Sequence, residues 1–126
     1  MTTKPKLLYI AGPYRPRPGF QSLPVLRWFF IARNILRARR LAIWLWKNGD
    51  YAVCPHMNIA SIAHKLTNPV LTEGNLTLMR RCDAVVMLPH WTDSAGARYE
   101  HLTAILEGLP IYYWTGSSLY RKESEL

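Results

Sequence analysis

The sequence predicts an α/β fold: a parallel sheet of four to five strands with helices on both faces. Three observations predict it. Short apolar runs alternate with longer stretches of helical period. The clearest run, "DAVVMLP" (83–89), is continuously apolar, as expected of a strand covered on both faces. Glycine or proline punctuates most of these segments.

The elements follow in order. "KLLYIAG" (6–12) is a short apolar run ending at glycine and reads as a buried strand. "PYRPRPGFQSLP" (13–24) holds four prolines and a glycine and reads as a loop. A long helix is expected over about 25–48. Arg33, Arg37 and Arg40 form its polar face, and Ile31, Ile35, Ala38, Ala42 and Leu45 fill another. "NG" at 48–49 closes it. "DYAVCPH" (50–56) reads as a second strand ending at proline. Residues 57–68 are ambiguous, with a short helix one option. "PVLTEGNLTLMRRC" (69–82) reads as a helix with Gly74 as its weak point. After the strand at 83–89, a helix over about 95–107 stops at Gly108. "PIYYW" (110–114) is a last strand, and residues 115–126 form a polar tail.

The chain has 126 residues, enough for one domain with a core, and 49% of them are apolar. Sixteen Lys plus Arg against eight Asp plus Glu leave a net charge of +8, which favours an anionic partner. Cys54 and Cys82 lack metal-ligand spacing and read as buried thiols of a reducing, cytoplasmic compartment. The N-terminal apolar run is too short for a signal peptide. The most apolar region, Leu23 to Trp46, carries Arg27, Arg33, Arg37, Arg39 and Arg40, which argues against a membrane span. His64 and His101 have no partner at metal-ligand spacing, so neither metal nor cofactor is expected.

In a parallel sheet of this kind, ligands bind beyond the carboxyl ends of the strands. Three loops converge there: Gly12 to Arg15, including Pro13; Pro55 to Asn58, including His56; and Pro89 to Gly96. Asp93 or Ser94 suits the N-cap of the helix that follows. The free amides of Ala95, Gly96 and Ala97 would then face the mouth as a seat for phosphate or carboxylate. Helical side chains lean toward the helix N-terminus, so Glu100 is expected to lean over Gly96 and Ala97 into the mouth. The positive helix end is expected to hold it ionised, which suits a nucleophile. The plainer alternative is a first-turn acid favoured by the helix dipole alone.

Four blocks, "LYIAGPY" (8–14), "GDYAVCPHMN" (49–58), "LMRRCDAVVMLPHW" (78–91) and "SAGARYE" (94–100), stand in an order and spacing that resembles the nucleoside 2-deoxyribosyltransferase superfamily. The nearest likeness is to its small, often phage-encoded branch, and the resemblance spans roughly residues 7–114. It implies a flavodoxin-like, Rossmann-like three-layer sandwich as a single domain. It also implies cleavage or transfer at the N-glycosidic bond of a 2′-deoxynucleoside or its 5′-monophosphate. Glu100 matches the family's nucleophilic glutamate, and Tyr9 and Gly12 match the first-strand motif bordering sugar and nucleophile. Ser94 matches the position at the sugar's 5′ end. Serine there is similar to the 5′-monophosphate N-glycosidases; the transferases proper carry aspartate, which would repel a phosphate.

One departure is chemical. Eight residues before Asp83 the family usually has an aspartate that contacts and helps protonate the base, and this chain has Asn75. An amide orients a base but is no general acid at neutral pH. His90, where glycine is usual, is a second departure and a possible proton source. Arg15 and Arg17 either flank the pocket or are solvated loop charges. Trp91 either walls the base pocket or packs. His56 contacts ligand or is structural, and Tyr9 is core or catalytic.

The expected partner is therefore a small deoxynucleoside or deoxynucleotide. Homo-oligomers, dimers or tetramers, are common in the family. The apolar surface of the helix at 25–48, with Trp28, Phe29, Phe30, Trp44 and Trp46, is expected to serve that contact. The arginine face reads as a solvated side or oligomer contact rather than a nucleic-acid stripe, since aromatics interleave poorly with it. Two other readings stay open: a non-catalytic nucleotide-binding module of the same fold, and a small basic nucleic-acid-binding protein.

Overall fold

A computed structural model describes residues 6–14 and 24–122. Five strands make one sheet: β1 (Leu7–Ala11), β2 (Tyr51–Val53), β3 (Ala84–Met87), β4 (Ile111–Trp114) and β5 (Leu119–Tyr120). Their spatial order is β2-β1-β3-β4-β5. The first four run parallel, and β5 closes one edge antiparallel to β4. The helices are α1 (Pro24–Lys47), α2 (Pro55–Asn58), α3 (Asn68–Arg80) and α4 (Ala95–Leu106), with 3-10 turns at Ala63–Lys65 and Trp91–Asp93. This is the flavodoxin-like, Rossmann-like three-layer sandwich.

The strand side chains alternate between two cores. Tyr9, Ala11, Val85, Met87 and Tyr113 point to the face covered by α3 and α4, where Leu76, Met79, Ala97 and Ala104 meet them. Leu8, Ile10, Val86, Leu88 and Trp114 point to the opposite face, against Ala38, Leu41 and Leu45 of α1. All of β3 and nearly all of β1 is therefore buried, which is why both read as continuous apolar runs. Both cysteines are free and buried, and burial raises their thiol pKa values, that of Cys82 to about 11.

Several boundaries differ from expectation, each for a local reason. The buried stripe of α1 is Asn34, Ala38, Leu41 and Leu45, rotated from the face expected. Asn34 hides in it because its amide donates to the Tyr14 carbonyl at 3.2 Å. β2 stops at Val53, since Pro55 occupies the first turn of α2 with Cys54 as its N-cap. Gly74 stays inside α3 with open space around it. Within the expected tail, Leu119–Tyr120 pairs with β4, and Tyr120 stacks on Tyr113 with ring centroids 5.3 Å apart.

α1 and α4 end alike. Gly49 (φ 87°) and Gly108 (φ 72°) take the left-handed conformation. The next amides, Asp50 and Leu109, reach back to the carbonyls of Leu45 and Ala104 at 3.0 and 2.9 Å. Among the described residues, no helix is long and apolar enough to cross a membrane.

Strand order reverses between β1 and β3, the first leading outward to β2 and the second to β4. Such a switch point opens a crevice at the carboxyl ends of the strands.

Candidate active site

The crevice is occupied by a cavity of about 540 Å³. Its walls come from β1 and the residues after it, the segment 55–63, one face of α3 and the first turns of α4.

Ser94 (φ −112°, ψ 120°) caps α4, its Oγ accepting from the Ala97 amide at 3.2 Å. Ser94, Ala95, Gly96 and Ala97 all line the cavity. Glu100 follows in the second turn, and Tyr9 rises from the middle of β1, fully buried. The Tyr9 hydroxyl donates to Glu100 Oε2. Both residues line the cavity, so the pair forms part of its floor.

Glu100 differs from expectation in charge. Burial raises its carboxyl from 4.5 to about 7, while the hydrogen bond from Tyr9 pulls the other way. The helix field fades within the first turn, and Glu100 lies beyond it. Desolvation therefore wins, and the carboxyl is poised near neutrality. Tyr9 is pushed upward, first by burial and then by the charge of Glu100, so its hydroxyl remains a donor.

A second constellation pins the loop after β1. His56 is almost fully buried, and its Nε2 donates to the Pro13 carbonyl at 2.7 Å. That tautomer leaves Nδ1 as an acceptor, and Nδ1 is buried with no hydrogen-bond partner among the described residues. Burial lowers the His56 pKa, so the ring is neutral near pH 7. The Tyr14 ring stands edge-on to it, with centroids 5.6 Å apart. Gly12 is required by close approach: a Cβ there would lie 2.6 Å from Leu88 Cβ.

The structure thus brings Tyr9, Gly12, His56, Asn75, Ser94, Gly96, Ala97 and Glu100 to one cavity. Pro13 contributes its carbonyl to His56. Trp91 lies outside the cavity lining. It stacks on His101 with centroids 4.1 Å apart, and His101 hydrogen-bonds the Tyr113 hydroxyl at 2.8 Å. His90 is likewise absent from the lining, and its left-handed backbone (φ 66°) explains why glycine suits that position. Arg15 and Arg17 lie outside the described residues.

Sequence reading missed much of the α3 wall. Asn68, Leu71, Thr72 and Asn75 line the cavity at i, i+3, i+4 and i+7, a polar-rich stripe legible once the helix is placed. It also missed Tyr14 and Arg98. Arg98 lines the mouth and donates to the Thr92 carbonyl at 2.6 Å. Among the described residues, no group of three or more His, Cys, Asp or Glu is placed to hold a metal.

No curated protein and no solved structure matches the chain. A family model described as a domain of unknown function, DUF4406, matches residues 41–113. That segment carries β2 to β4 with α2, α3 and α4, hence three of the four cavity walls. Because the match spans more than half of the chain, the protein belongs to the DUF4406 family.

Proposed function

We propose that the protein cleaves or transfers at the N-glycosidic bond of a 2′-deoxynucleoside or its 5′-monophosphate. One observation carries this reading. A carboxyl, bonded by a buried tyrosine, shares a cavity with a serine-capped helix N-terminus. The resemblance to nucleoside 2-deoxyribosyltransferases supports the same roles for Glu100, Tyr9 and Ser94.

In this mechanism Tyr9 holds Oε2, leaving Glu100 Oε1 to attack C1′ of the sugar. The C1′–N bond breaks, its electron pair passes to the base, and a glycosyl ester forms on Glu100. Asn75 orients the base as a neutral amide, and solvent supplies the proton. Water or a second base then attacks C1′ and releases Glu100. A 5′-phosphate would sit against Ser94 and the first amides of α4, where the helix end favours an anion.

The test is incubation with deoxynucleosides and their 5′-monophosphates, following free base by chromatography, with Glu100→Gln as control. Base release that vanishes in the variant is expected. Release unaffected by the variant would sink the assignment of Glu100. Asn75 favours one second reading, a nucleotide-binding module without turnover. Tight mononucleotide binding with no base released from any substrate would select it.

A further inference from the structure

The outward face of α1 bears an ordered pattern that the cavity does not use. Val25, Phe29, Ala32, Leu36 and Ile43 follow spacings of four, three, four and seven, a heptad-type seam opposite the buried stripe. Val25 is 82%, Phe29 58%, Leu36 52% and Ile43 40% exposed, so the described residues leave the seam uncovered. Arg33, Arg40 and Lys47 run beside it at i, i+7 and i+14, all exposed. Among the described residues none of these three has an ion-pair partner. α1 also contains Arg27, Arg37 and Arg39 and no acidic residue.

At its C-terminal end the seam meets a groove of about 430 Å³. Arg39, Ile43, Trp46 and Lys47 form one wall, with Cys54 and Met57 across from them. A bulky apolar side chain from a facing element would fit there, as a knob fits a hole.

We infer that this face docks an amphipathic helix of a partner protein with an apolar seam flanked by Asp or Glu. The seam runs about 30 Å, a length suited to a helix of similar extent. Heptad-spaced cations beside an apolar seam occupy the positions that select partners by charge in paired helices. A second copy docking antiparallel through the same seam would set basic row against basic row, which is repulsive. Docking parallel, it would set the basic row against the apolar flank of Trp28, Ile35 and Ala42 and leave its cations without carboxylates. The break in the seam at Arg39 and Arg40 marks where the partner's carboxylates belong. This inference does not depend on the proposed catalysis.

The test uses the full chain and two labelled synthetic helical peptides with Leu at the seam positions. One carries Glu at the flanking positions and the other Lys. Fluorescence anisotropy is expected to show salt-sensitive binding of the Glu peptide, and Leu36→Glu should weaken it about tenfold or more. The triple variant Arg33→Glu/Arg40→Glu/Lys47→Glu should reverse the preference to the Lys peptide. Merely damaged folding would not produce that reversal. The inference is overturned by equal affinity for both peptides or by binding of neither. It is also overturned if anionic vesicles bind while the Glu peptide does not. Dimerisation in light scattering that Leu36→Glu abolishes would equally assign the seam to a second copy.

Discussion

The hydroxyl of Tyr9 meets the carboxylate of Glu100 across 91 residues of sequence, joining the centre of β1 to the second turn of α4. The bond does two things. It supplies a donor that partly offsets the desolvation of Glu100, and it ties Oε2 to the central strand.

The first prediction concerns charge on Glu100. Tyr9→Phe removes the interaction that lowers its pKa, so the carboxyl should titrate above about 7 in the variant. If Glu100 acts as an ionised nucleophile, the rising limb of kcat/KM against pH should move to higher pH, with a lower plateau. Carbon-13 NMR of the labelled glutamates reads the same shift without turnover. An unchanged Glu100 titration would deny the coupling.

The second prediction is a stability profile. Glu100 titrates near 4.5 unfolded and about 7 folded, so the folded state holds the proton more tightly. Its contribution is full below about pH 4.5 and is lost as pH rises through 7. At about 1.4 kcal/mol per unit the loss is of the order of 3 kcal/mol. Glu100→Gln does not titrate and keeps an oxygen for Tyr9. It should gain on the wild type by roughly that amount between pH 4.5 and 8, read by urea unfolding. Parallel profiles would contradict the buried carboxyl.

These two residues also show what was legible beforehand. The position of Glu100 on the cavity could be read from Ser94, Gly96 and Ala97, because helix geometry is local. Its protonation could not, because the walls that desolvate it come from β1 and other distant segments. Strand and helix types were plain wherever the apolar period was long, as in β3 and α4. Asn34 misled the reading of α1, since its partner, the Tyr14 carbonyl, is twenty residues away. β5 has two residues, too few for any period to register. Trp91 stacks on His101 after the left-handed turn at His90, and a composition-based reading could not orient that turn.

The third prediction tests the loop that borders the site. Gly12→Ala would place a Cβ 2.6 Å from Leu88 Cβ and 2.7 Å from Leu88 Cδ1. Leu88 Cβ cannot rotate away, so the backbone must shift, at a cost of about 1–3 kcal/mol. In Leu88→Gly the Cβ and Cδ1 contacts both disappear, so adding Gly12→Ala there should cost measurably less. A double-mutant cycle by chemical denaturation reads the difference, and strict additivity would show that the two residues do not meet.

The fourth prediction uses His56. Its neutral ring donates to Pro13 and sits buried, so its folded pKa lies below the ordinary value of 6.5. Stability from this group is present above 6.5 and is lost as pH falls toward the folded pKa. His56→Gln, which can still donate to the Pro13 carbonyl, should lose less stability than the wild type between pH 7 and 5. Thermal unfolding at several pH values measures it. A steeper acid loss in the variant would mean that His56 is charged when folded.

The last prediction separates structure from recognition at Ser94. Ser94→Ala removes the Oγ that accepts from Ala97 and should cost about 1 kcal/mol, a typical N-cap loss. Ser94→Asp keeps an N-cap oxygen and should preserve stability. It also places a negative charge beside the first amides of α4, where a 5′-phosphate is proposed to sit. Calorimetry should therefore show weaker binding of a deoxynucleoside 5′-monophosphate to Ser94→Asp and little change for the parent nucleoside. The ratio of the two affinities is the informative quantity, since general damage to the cavity would lower both together. Equal losses would place the phosphate elsewhere, while loss confined to the nucleotide would tie the helix N-terminus to the 5′ end of the ligand.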